Sequence, residues 1–72
     1  MNAQIQKLTR QLFAARLNKE LARFTKLDEY AVRLANAAAE EYINYVVRYN
    51  QCQSKAQQID NLRYELRSHA VA

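Results

Sequence analysis

The sequence predicts an all-α protein, and three observations carry that prediction. Glycine and proline are both absent from the 72 residues, where average usage would supply about five and four. Tight hairpins need glycine, Asn-Gly or Asp-Gly at positive φ, so most β architectures are excluded. Gly-rich phosphate cradles go with them. Apolar residues recur at helical spacing along most of the chain. Hydrophobic residues at 50% and charged residues at 25% fit a globular chain and not a disordered one. The expected architecture is a small three-helix bundle or a helical hairpin with one long arm. It forms a single helical domain over residues 1–72 that associates through its central helix.

The first helix is expected over residues 3–24. Ile5, Leu8 and Leu12 form one stripe; Phe13, Leu17, Leu21 and Phe24 form a second, roughly a third of a turn or more away. Such a helix either meets different neighbours along its length or leaves one stripe exposed. A break is expected at residues 25–28. There Thr25 and Asp28 approximate a capping box, and Asp28 and Glu29 suit the positive end of a new helix.

The second helix is expected over residues 28–49. One stripe holds Leu27, Ala31, Leu34, Ala38, Tyr42, Tyr45 and Tyr49. Another holds Val32, Ala35, Ala39, Ile43 and Val46, about 100° round. Only the arc with Glu29, Arg33, Asn36, Glu40 and Asn44 is clearly polar, so this helix should be the central one. Ala31, Ala35, Ala38 and Ala39 would admit a close neighbour. Glu41 and Arg48 fall at the edge of the apolar face and are expected at its rim.

The third helix is expected over residues 55–68, opened by Ser54 and Gln57 as a capping box. Cys52, Ala56, Ile59 and Leu66 continue the earlier stripe almost in phase. One unbroken helix from Asp28 onward therefore stays open as the alternative.

The net charge of +4 is uneven. Residues 1–26 carry Lys7, Arg10, Arg16, Lys19, Arg23 and Lys26 against Glu20 alone, whereas residues 27–50 are net acidic. Arg16, Lys19, Arg23 and Lys26 share one helix face and are the candidate contacts for an anionic partner. No zinc-finger spacing or helix-turn-helix turn accompanies them, so a solvated face is the plainer reading. The acid-poor start resembles a transit peptide, but a basic helix explains it as well. No apolar run approaches the ~20 residues needed to span a bilayer, so a membrane is not expected as partner.

Catalysis finds no foothold. Asp28-Glu29 and Glu40-Glu41 are sequence neighbours, so their side chains diverge by about 100° and form no acid–base pair. One cysteine and one histidine, Cys52 and His69, make no metal site. No catalytic residue, cofactor, metal or small-molecule substrate is expected. A lone cysteine forms no internal disulfide and suits a reducing cytoplasm. Cys52 is expected to pack as a small apolar residue, and His69 to lie frayed at the surface.

Size scaling gives about 4,600 Å² of folded surface and about 12,000 Å² unfolded. If about 60% of that difference is apolar, burying it contributes about 110 kcal/mol, against about 108 kcal/mol to order the chain. Chains this small gain stability by association when disulfides and metals are missing. The expected function is a non-catalytic helical interaction protein: an adaptor, an assembly component, an inhibitor of a larger protein, or a self-associating chain. Its expected interface is Val32, Ala35, Ala39, Tyr42, Ile43, Tyr45, Val46 and Tyr49. On that reading Ala39→Glu abolishes association and spares the helix. The alternative is a small nucleic-acid-binding protein that uses the cationic face of the first helix.

Overall fold

The computed structural model describes residues 2–70. It contains α1 (Ala3–Leu21), α2 (Glu29–Asn50) and α3 (Lys55–Ala70). The three-helix alternative is the one adopted. A turn at residues 51–54 interrupts the continuous stripe, closed by Gln51 N–H to the Arg48 carbonyl and Gln53 N–H to the Asn50 carbonyl. Cys52 is exposed in that turn, so it is not the packing residue its phase implied.

Each helix start has a side-chain cap. The Asn2 side chain accepts from Gln4 and Ile5 N–H at 2.9 and 3.1 Å. Asp28 is itself the N-cap of α2, accepting from Ala31 N–H at 2.8 Å. Thr25 therefore plays no capping part. Ser54 Oγ accepts from Gln57 N–H at 3.2 Å, but the Gln57 side chain turns forward to Asn61 and leaves the box half-made. The first helix also stops earlier than its pattern implied. Arg23 and Phe24 N–H bond three residues back, to Glu20 and Leu21, so the last turn tightens and the helix ends.

α1, not α2, is the hub. It lies along both other helices, and α2 and α3 touch much less. Leu12 on α1, Val46 on α2 and Leu62 on α3 form the buried cluster. Ile5, Leu8, Tyr42, Ile43 and Leu66 pack around it. The first stripe of α1 thus enters the three-helix core, and Phe13, Leu17, Leu21 and Phe24 are half-buried. α2 was expected at the centre because it is apolar around most of its girth. Only the side with Ala31, Ala35, Ala39 and Val46 is buried, and Val32, Leu34, Tyr45, Val47 and Tyr49 stay exposed.

Arg16 meets Tyr42 while Leu12 meets Val46, so α1 and α2 run antiparallel. Tyr42 meets Glu65 and Asn50 meets Asn61, so α2 and α3 are antiparallel too. α3 ends beside Tyr42, where His69 contacts the Tyr42 ring. Among the described residues, the helix packed on the first half of α2 is therefore α1. There Ala31, Ala35 and Ala39 are buried, consistent with the close approach that small side chains allow. The molecule is elongated at 41 × 21 × 18 Å. Its 5547 Å² of surface exceeds by about 900 Å² the ~4,600 Å² of a compact chain of this mass. No helix among the described residues is long and apolar enough to cross a membrane.

Candidate interaction surface

The stripe assigned to an interface from the sequence is divided by the fold. Ala35 and Ala39 are 1% and 0% exposed, and Val46 is 5% exposed. These three are core, closed off within the chain, and cannot receive a partner. Tyr42 and Ile43 pack on the core cluster. Val32, Tyr45 and Tyr49 remain open. The correction has a simple cause. A helix with two apolar stripes turns one of them toward its own chain, and sequence phase does not say which.

Tyr42 has become a clamp between the three helices. Its hydroxyl donates to Glu65 of α3. The Arg16 guanidinium of α1 sits 4.7 Å from its ring centroid, within cation–π range. His69 lies 5.2 Å from it, tilted by 43°. His69 Nδ1 is 3.0 Å from the Glu65 carbonyl oxygen, so the imidazole is held in place and not frayed. This cluster was not visible beforehand. Glu65 and His69 share an i, i+4 spacing, but nothing local indicates that Tyr42, more than twenty residues away, meets both.

Burial first, and then the bond to the Glu65 carboxylate, hold the Tyr42 phenol well above its ordinary pKa. The folded chain therefore keeps this proton more tightly than the unfolded chain does. That contribution is fully present below pH ~10 and is lost as pH rises above it. Tyr42→Phe removes the bond and is expected to cost about 1 kcal/mol at neutral pH. The variant should also lose stability less steeply in the alkaline range. Urea titrations at a series of pH values check both; equal slopes for the two proteins would refute this role for Tyr42.

The cationic face is also rearranged. Glu20 is buried, and it pairs with Arg16 at 2.9 Å and with Arg23 at 3.0 Å. Arg16 is further engaged by Tyr42, whereas the Arg23 side chain stays 74% exposed, and the single Glu20 carboxylate offsets only one of the two positive charges. Lys26 lies in the connection after α1, off the helix face, and Lys19 stays exposed on it. Glu20 was readable as the lone acid at helical spacing from Arg16 and Arg23. Its burial was not.

What the fold leaves open is a different stripe of α2. Leu27, just ahead of the helix, is followed along one line by Tyr30, Leu34, Tyr45 and Tyr49, all exposed. Tyr45, Tyr49 and Tyr64 are 67%, 63% and 63% exposed. They line a cleft of about 350 Å³ between α2 and α3, floored by Val46, Asn50 and Asn61. The Asn61 amide donates to buried Asn50 at 2.7 Å, which anchors the cleft at the α2–α3 turn. A second hollow of about 480 Å³ lies beside Ala37, Glu41, Tyr45 and Arg48. Glu41 and Arg48 are exposed at its edge. No group of three or more His, Cys, Asp or Glu placed to hold a metal occurs among the described residues. No protein-family model, no curated protein and no solved structure matches the chain.

Proposed function

We propose that this chain is a small helical protein–protein interaction module and that the exposed stripe of α2 is its working surface. One observation carries the reading. Tyr30, Leu34, Tyr45 and Tyr49 stand open along one side of α2. Tyrosine suits such a surface because it covers a large area with only two torsions and keeps a polar tip. The engagement of Arg16 by Glu20 and by the Tyr42 ring leaves fewer cations of α1 free, which favours this reading over phosphate tracking along that helix. Lys19 and the other free cations then act at long range, steering an acidic partner.

The test is capture by tagged protein from lysate of the source cell, with and without nuclease. Wild type is compared with a Tyr45→Ser/Tyr49→Ser variant, which should keep the wild-type helical signal because both rings are exposed. A protein recovered in constant ratio despite nuclease, and lost with the variant, is the expected result. Equal recovery by both proteins would remove this surface. Recovery of nucleic acid, falling steeply with salt, would move the function to the cationic face of α1.

A further inference from the structure

The interaction-module reading leaves the occupant of the stripe unnamed, and the order of charges along α2 identifies one. We infer that it is a second copy of this chain, with the two α2 helices antiparallel about a two-fold axis beside Ala37 and Ala38. The inference rests on the proposed function and specifies its partner.

Charge order is the first support. Along α2 come the acids Asp28 and Glu29, then Arg33, then Glu40 and Glu41, then Arg48, and all of them are exposed. The ion pairs within the chain are those of Glu20, so among the described residues none of these six is paired. An antiparallel pairing centred between Ala37 and Ala38 sets Glu41 of one copy opposite Leu34 of the other and beside its neighbour Arg33. It also brings Arg48 to the Asp28–Glu29 end. The two-fold axis repeats each pairing. A parallel pairing sets every charge against its own kind. Shifting the axis by a turn toward the C-terminus brings Glu41 against itself. Complementarity of this kind selects orientation and register.

The apolar residues fit the same register. Tyr45 of one copy falls opposite Tyr30 of the other, and Tyr49 falls near Leu27. Each exposed tyrosine of the α3-covered half thus meets the half of α2 that α3 does not reach. Ala37 and Ala38 lie at the axis, where small side chains allow helices to approach to the short end of the ~8–10 Å range.

Sedimentation equilibrium over a concentration series tests the inference with Glu41→Arg and Arg33→Glu. Both positions are exposed, so each variant should keep the wild-type helical signal. Wild type should dimerise. Each single variant should dimerise at least ~10-fold more weakly, because like charges then face each other twice per dimer. An equimolar mixture of the two variants should regain wild-type affinity, because each reversed charge then meets its opposite. A monomeric wild type throughout the series would overturn the second copy as occupant. The tyrosine-dependent capture described above would then still decide the interaction reading by itself. A wild-type dimer unmoved by the reversals, or singles not rescued by mixing, would overturn the antiparallel pairing.

Discussion

Replacing Ala39 by glutamate is expected to unfold the chain, not to release a partner. Ala39 has no exposed surface, and the neighbour along this half of α2 is α1. A longer side chain there forces the helices apart, at about 1–3 kcal/mol. An unpaired carboxylate in the same place costs several kcal/mol more, or else drags water into the hairpin. A core of this size rarely supplies more than ~3–5 kcal/mol in total. The cooperative thermal transition seen by circular dichroism should therefore vanish. Ala14→Glu, at an exposed site on α1, serves as the control and should melt like wild type. A cooperative melt in Ala39→Glu would contradict the packing of α1 on α2 described above.

Leu12→Ala should be the most damaging truncation. Leu12 is fully buried and joins Val46 and Leu62, so its removal loosens α2 and α3 together. Leucine-to-alanine changes at such sites cost about 2–5 kcal/mol, depending on how far the cavity collapses. In a domain this small that lowers the melting temperature by roughly 10 °C or more. Hydrogen exchange should show the α3 amides opening first, because α3 is held mainly through α1. A drop of only a degree or two would mean that the cluster is not the centre of the core.

The alkaline behaviour of Tyr42 and the charge-reversal experiment probe features that stability measurements at neutral pH miss. Tyr42 reports whether the clamp of Arg16, Glu65 and His69 is closed. Arg33 and Glu41 report on a surface that the core does not use. The two sets are separable, since neither Arg33 nor Glu41 makes an ion pair within the chain.

Much of the architecture was legible in the residues. The absence of glycine and proline excluded hairpins, because a β-turn needs backbone conformations that those residues supply. Ser54 marked a possible start for α3, and the acids Asp28 and Glu29 the start of α2, but the cap of α2 is Asp28 and not Thr25. Ile5, Leu8 and Leu12 share a face by spacing alone, but that this face is the buried one came only from the docking of α2 and α3. The stop after Leu21 was missed because no residue enforces it. Phe24 still fits the stripe, and only the direction of the turn toward α2 ends the helix.

What the sequence determined by itself was local: helical class, the helix starts, and the set of apolar stripes available for burial. What the tertiary structure alone decided was allocation among those stripes. α2 offered two, and packing on α1 took the one with Ala35, Ala39 and Val46, leaving Tyr45 and Tyr49 outside. The same step drew Glu20 into the interior between two arginines and brought His69 against Tyr42. The physical reason is that periodicity states which side chains share a face. Which face is buried is settled by contacts between residues far apart in the chain, and those exist only once the helices have docked.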